Sequence, residues 1–143
     1  MFLFPAYAGY AGGEQGWMRE MVANGSERMR AYGEWVATRY KSRKNLVWML
    51  GGDLGTFDTG QSLVESALLR GMASVPGQRS TQQSAEWDSG SIATDQLSFG
   101  KSMTLNGAYA WDGDVNGQVV VQGAKHPAPL EFGEQDCCAS ENC

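Results

Sequence analysis

The sequence has a single histidine, His126, and no cysteine before Cys137. Cys137, Cys138 and Cys143 are odd in number with no partners elsewhere, so they make no disulfide framework. A structural zinc takes four ligands, and His126 stands in no recognised spacing with the thiols, so no metal is expected. A G-x-S-x-G elbow is missing and His126 lies directly before Pro127, which excludes the usual serine-hydrolase arrangement. With no G-x-G-x-x-G or Walker run, nothing argues for a nucleotide, and no cofactor is expected. Internal repeats and low-complexity tracts are also lacking.

Basic charge is scarce. The net charge of −5 argues against nucleic acid, because phosphate contacts need clustered Lys and Arg. The one basic run, Arg39, Lys41, Arg43 and Lys44, reads as the solvated C-terminal end of a helix, where the dipole favours cations. No stretch reaches the roughly 20 apolar residues of a membrane span, so no membrane partner is expected. Met1 to Ala6 is apolar but too short for a signal peptide, and it lacks a basic leading region.

What is present is an alternation of strand and helix patterns. Phe2 to Ala6 reads as a short buried strand, stopped by Pro5 and the Gly9, Gly12, Gly13 run. The loop that follows carries Tyr7, Tyr10, Glu14 and Trp17, an aromatic content that points to function on a rigid scaffold. Gly16 to Ala23 reads as a short helix broken at Asn24-Gly25, and Ser26 as the N-cap of the next. Met29, Tyr32, Trp35, Val36 and Tyr40 recur at three- and four-residue spacing, which predicts one buried helical face with its rings in the core. Asn45 to Leu50 is a continuous apolar run of the buried parallel type, ending in Gly51-Gly52-Asp53. Leu63, Ala67 and Gly71, with Val64, Leu68 and Met72, predict a second helix stopped by Pro76-Gly77. Arg79 to Ala85, Met103 to Ala110 and Pro129 to Glu134 read as further strands, and Asp114 to Gln122 as a helix or a strand.

Such alternation implies an α/β fold with parallel strands and right-handed crossovers, in one domain over residues 1–143. A doubly wound sheet and a barrel both satisfy it. In a (β/α)₈ barrel the active site lies at the C-terminal strand ends. Here those ends supply Asp53, Glu86 with Trp87, Asn106 with Tyr109, and Glu134. Carboxylates among rings and amides suit a sugar: rings stack on its apolar faces and polar groups bind its hydroxyls. Glycoside cleavage needs two carboxyl groups, one to protonate the leaving oxygen and one to attack or to activate water.

Phe4-Pro5-Ala6-Tyr7-Ala8-Gly9-Tyr10-Ala11-Gly12-Gly13-Glu14-Gln15-Gly16-Trp17 resembles the loop after the third barrel strand of apiosidase-like glycoside hydrolases. Met21 to Gly25, Ala31-Tyr32-Gly33, Arg39-Tyr40 and, most specifically, Asn45 to Asp53 resemble the same family. The likeness weakens through residues 54–100 and returns at Leu105 to Tyr109 and at Pro129 to Glu134. It implies a retaining glycosidase in a TIM barrel, with Asp53 at the end of the fourth strand as general acid/base. Glu134 at the end of the seventh falls on the nucleophile, with Glu131 as the runner-up that alternation aims elsewhere. Tyr7, Tyr10, Trp17, Trp87, Asn106 and Tyr109 are the expected sugar-binding residues. Plant or microbial polysaccharides, apiose-containing pectin among them, are the implied substrates.

A whole barrel takes roughly 250 residues, and the matches run from about strand 3 to strand 7. A partial barrel is therefore expected, with open edges that a second copy would cover in a homo-oligomer. The resemblance fits a secreted or periplasmic parent protein, although no address is readable in the chain. The competing expectation is an inactive or truncated carbohydrate-binding barrel remnant.

Overall fold

The computed structural model describes residues 1–10, 15–55, 57–77, 82–87, 91–93, 95, 102–110 and 131–135. The expected helix at Asp114 to Gln122, His126, Glu14 and the three cysteines lie outside the described residues. Among the described residues there are five strands and two helices, which alternate as the sequence pattern predicts as far as β3. They are β1 (Phe2–Leu3), α1 (Met18–Tyr40), β2 (Val47–Gly51), α2 (Thr59–Ala73), β3 (Gln82–Glu86), β4 (Asn106–Ala110) and β5 (Glu131–Gln135).

The first three strands form one parallel sheet in the order β1-β2-β3. Phe2 pairs with Val47, and Val47 to Gly51 pairs with Gln82 to Glu86. The apolar run of β2 is explained by this position: with a strand on each side and helices over one face, four of its residues, Trp48 to Gly51, are buried. β4 and β5 pair in parallel as a second sheet. The two sheets meet where Thr104 and Leu105 donate to the Gln83 carbonyl at 2.8 and 3.0 Å, just before β4 begins. Ala93, downstream of β3, then donates to Gly107 at 2.7 Å.

α1 is one rod with a fault in it. Gly25 has φ 76 and ψ 170, a conformation essentially restricted to glycine, and it divides the helix where Asn24-Gly25 predicts a break. α2 is better defined at its start. Asp58 accepts from the Gln61 N–H at 2.8 Å and Gln61 Oε1 accepts from the Asp58 N–H at 2.9 Å, a complete capping box. The helices cross at glycines: a Cβ on Gly33 would overlap the Leu68 carbonyl oxygen, and one on Gly71 would overlap that of Arg30.

That crossing corrects one expectation. Tyr32 and Trp35 are not core rings; Trp35 is 60% exposed, stacked on Tyr32 at 6.0 Å. The buried face of this half of α1 is Met29, Gly33, Val36 and Ala37. Small residues let α2 approach closely, and the bulky rings are displaced to the rim. Tyr40 alone of the three rings packs on the core, edge-on to Trp48. The core is one cluster between helices and sheet, centred on Trp48, Val36, Val64, Leu68 and Met72. A second cluster around Leu50, Leu69, Ala85, Trp87 and Met103 extends toward β4. Among the described residues, no helix is long and apolar enough to cross a membrane.

Candidate active site

The best-defined constellation lies at the C-terminal end of β2. Gly51, Gly52 and Asp53 take successive positive φ values of 77, 119 and 54. The glycines adopt these at little cost, whereas Asp53 is a non-glycine residue in the left-handed region, where only a short polar side chain is tolerated readily. Such outliers persist where the surroundings enforce them, and they concentrate at functional sites.

The surroundings here are specific. The Gly51 carbonyl accepts from the Ala8 N–H at 2.7 Å, which ties the turn to the β1 side. The Gly52 N–H donates to the Glu86 carbonyl at 2.9 Å, which ties it to the β3 side. Neither glycine can carry a side chain: a Cβ on Gly51 would overlap the Glu86 carbonyl and the Trp87 ring, and one on Gly52 would overlap the Tyr7 ring. The turn thus brings Asp53, half-buried, beside the backbone neighbours of Tyr7 and Glu86. Three strand ends converge, as the C-terminal rim of a parallel sheet requires.

The expected sugar-binding residues separate into groups. Tyr7 lies against Gly52 and meets Phe4 edge-on at 5.5 Å. Tyr10 is exposed, as is Trp17 at 61%. With Phe4, Pro5, Tyr7, Met21 and Tyr32, Trp17 lines an apolar cavity of about 460 Å³ between the first loop and α1. The loop closes on the strand end through Trp17 N–H to Tyr7 O at 2.9 Å and Met18 N–H to Ala8 O at 3.1 Å. Trp87 is 1% exposed, edge-on to Phe57 at 5.3 Å, and its indole N–H donates to the Ala93 carbonyl at 2.9 Å. That is the placement of a core ring that supports the turn, not of an open stacking platform. Asn106 is buried as the first residue of β4, so it stands at the strand's N-terminal end rather than on the rim.

On the second sheet, Glu134 is paired with Tyr109 near the C-terminal ends of β5 and β4. Glu131 is paired with Asn106 at the opposite end. The register therefore separates them, with Glu134 the one nearer the rim.

One titratable residue escaped the sequence reading. Glu65, on α2, is fully buried between Val64 and the Leu68-Leu69 pair. Burial pushes its carboxyl up to about 7, and the Gly51 backbone beside it pulls in the other direction. Neither oxygen completes a hydrogen bond among the described residues. A carboxylate inside the apolar stripe of Val64, Leu68 and Met72 was a readable signal. Among the described residues, no group of three or more His, Cys, Asp or Glu side chains is placed to hold a metal.

A parallel sheet with helices packed on it defines an α/β scaffold, and solved structures share its fold. One glycoside hydrolase is 17% identical with a TM-score of 0.59, matched over 78% of this chain and 28% of that one. A glycoside hydrolase family 5 protein from Bacteroides vulgatus ATCC 8482 is 19% identical with a TM-score of 0.61, over 78% and 27%. At these identities the likeness concerns the fold, and the chain spans little more than a quarter of either length. No curated protein sequence matches. The model of the apiosidase-like catalytic domain matches residues 1–109, well over half of the chain, and the protein belongs to that family. The match contains Asp53 and the block ending at Tyr109, and it stops ahead of Glu131 and Glu134.

Proposed function

We propose that the protein is the acid/base-bearing part of a retaining O-glycoside hydrolase, with β1 to β5 serving as strands three to seven of a (β/α)₈ barrel. Asp53 is the general acid/base and Glu134 the nucleophile. The observation that carries this reading is the Gly51-Gly52-Asp53 turn, which puts a carboxylate in left-handed backbone on the rim of a parallel sheet. The unbroken order β1-β2-β3 and the β4-β5 pair fit consecutive barrel strands. The substrates are polysaccharides of plant or microbial origin.

The chemistry needs both groups in turn. Asp53, protonated, delivers its proton to the leaving glycosidic oxygen while Glu134 attacks the anomeric carbon. Asp53, now ionised, takes a proton from water, which displaces the glycosyl group from Glu134. Retention requires the carboxyl groups about 5–5.5 Å apart. Tyr7, against Gly52, is the best candidate for sugar contact, with Tyr10 and Tyr109 as further candidates. A second copy of the chain covering the outer edge of β1 remains part of this proposal.

Asp53→Ala and Glu134→Ala are each expected to lower hydrolysis of a 4-nitrophenyl glycoside by about 100-fold or more, with sugar binding retained. Unchanged turnover in either variant removes the assignment. A second reading, a sugar-binding remnant without turnover, is favoured by the family match ending at residue 109, ahead of Glu134. It predicts binding with no hydrolysis in the unmutated chain.

A further inference from the structure

β3 carries polar residues where a barrel strand mostly carries branched apolar ones. Which side of the sheet each residue faces follows from the register with β2. Leu50 pairs with Ala85, and both pack with Leu69 of α2, so they mark the side that the helices cover. Trp87, just past the strand, belongs to the same cluster. Alternation sends Ser84 and Glu86 to the other side, with Gln82 before them. In a barrel that other side is the lumen.

Glu86 is the last residue of β3, so it stands half-buried on the C-terminal rim. Its partner on β2 is Gly51, which has no side chain to set against it. The Gly52 N–H donates to the Glu86 carbonyl at 2.9 Å, and the next residue along is Asp53. Tyr7 reaches the same turn from the β1 side, with its ring against Gly52. A second observation marks this face. Ser84, two residues before Glu86, is fully buried, and its hydroxyl has no partner among the described residues. A buried hydroxyl left so costs about 1–3 kcal/mol, which alanine at that place would avoid. Packing therefore does not account for the polar face of β3, whereas contact with a polar ligand does.

We propose that Glu86 is a sugar-binding residue of the Asp53 site, whose carboxylate accepts hydrogen bonds from two adjacent hydroxyls of the bound sugar. An ionised carboxyl has two accepting oxygens and no donor. Two neighbouring hydroxyls on a sugar ring are the matching pair of donors. Tyr7 offers a ring from the β1 side and Glu86 a carboxylate from the β3 side, with Asp53 between them. The site then selects a sugar whose two adjacent hydroxyls are free. This rests on the glycosidase reading of Asp53 and deepens it.

The test uses Glu86→Gln, which keeps the shape but turns one acceptor into a donor, and Glu86→Ala, which removes both oxygens. Binding of a panel of methyl pyranosides and furanosides is followed by NMR titration, and hydrolysis with the 4-nitrophenyl glycosides. Each sugar is compared with deoxy analogues that lack one hydroxyl. Glu86→Ala is expected to weaken binding about 10–100-fold, and Glu86→Gln by less. Removing the recognised hydroxyl should weaken binding to the wild type about 10-fold and to Glu86→Ala by less than about twofold. A residue that only props the rim leaves those two losses equal. Folded variants that bind the sugars as the wild type does, or lose as much on deoxygenation, overturn the inference. So does a wild-type chain that binds none of the panel. Sugars bound but not cleaved overturn the proposed function instead, and the binding comparison still decides the role of Glu86.

Discussion

The two helices pack against each other, yet they are built on different terms. α2 starts at a complete capping box and buries a regular stripe with one carboxyl inside it. α1 starts at Trp17 with no side-chain cap, is divided at Gly25, and leaves Tyr32 and Trp35 exposed. α2 begins at Thr59, soon after the Asp53 turn, whereas the first half of α1 borders the aromatic cavity. The difference teaches that the element following the strained turn is the regular one, and that regularity lets it bury a carboxyl.

The largest expected effect tests what the carboxyl inside that stripe costs. The Glu65 carboxyl is raised from 4.5 to about 7 in the folded protein. Between those values the native state binds a proton that the unfolded chain has lost, so stability falls as pH rises. The contribution is whole below 4.5 and gone above about 7. At about 1.4 kcal/mol per pH unit, the difference comes to roughly 3 kcal/mol. Urea unfolding at pH 5 and pH 8.5 should show this loss in the wild type and its absence in Glu65→Gln. Equal pH slopes for the two proteins contradict the assignment.

The next effect strikes the contact between the helices. Gly71→Ala places a methyl group on the Arg30 carbonyl oxygen, which is backbone and cannot swing aside. Alanine favours a helix interior by about 1 kcal/mol over glycine, but forced separation of the helices outweighs that. A net loss of about 1–3 kcal/mol is expected from the urea midpoint. A gain in stability would mean that the helices slide apart freely. Asp58→Ala is a smaller change, at about 1 kcal/mol, because it removes one accepted N–H from an exposed cap. The same measurement checks it, and Asp58→Asn should recover most of the loss.

The sequence was legible where one physical rule dominated. The apolar run Val47 to Leu50 could only be a covered strand, and Gly51-Gly52-Asp53 marked its end. Asn24-Gly25 marked the fault in α1, because few residues other than glycine take its backbone angles. The second sheet was found at Met103 to Ala110 and at Pro129 to Glu134, although its strands start later, at Asn106 and Glu131. Less legible were the roles that depend on what lies opposite. Trp87 follows a strand end, as a sugar-stacking ring would, but Phe57 and the turn itself occupy its faces. Asn106 begins its strand rather than ending it. Glu65 was passed over because a lone glutamate in a helix is usually solvated, although its place within the apolar stripe of α2 signalled the burial that the packing imposes.

The smallest effect separates spacing from burial on α1. Tyr32, Trp35, Val36 and Tyr40 share helical periodicity, and periodicity alone assigns all of them to the core. Packing through Gly33 and Ala37 shifts the contact face sideways, so that Trp35 stands on the rim. Trp35→Gln should then change stability by no more than about 0.5 kcal/mol, the range of an ordinary surface substitution. Val36→Ala, one residue along and buried, should cost about 1–3 kcal/mol through lost apolar area and a cavity. A Trp35 variant as damaging as the Val36 one would return the ring to a buried face and undo the contrast between the helices. Tryptophan fluorescence supplies a second reading: Trp35, like the equally exposed Trp17, should contribute to the red-shifted, readily quenched part of the spectrum, with Trp48 and Trp87 in the protected part, so Trp35→Gln should reduce the quenchable fraction.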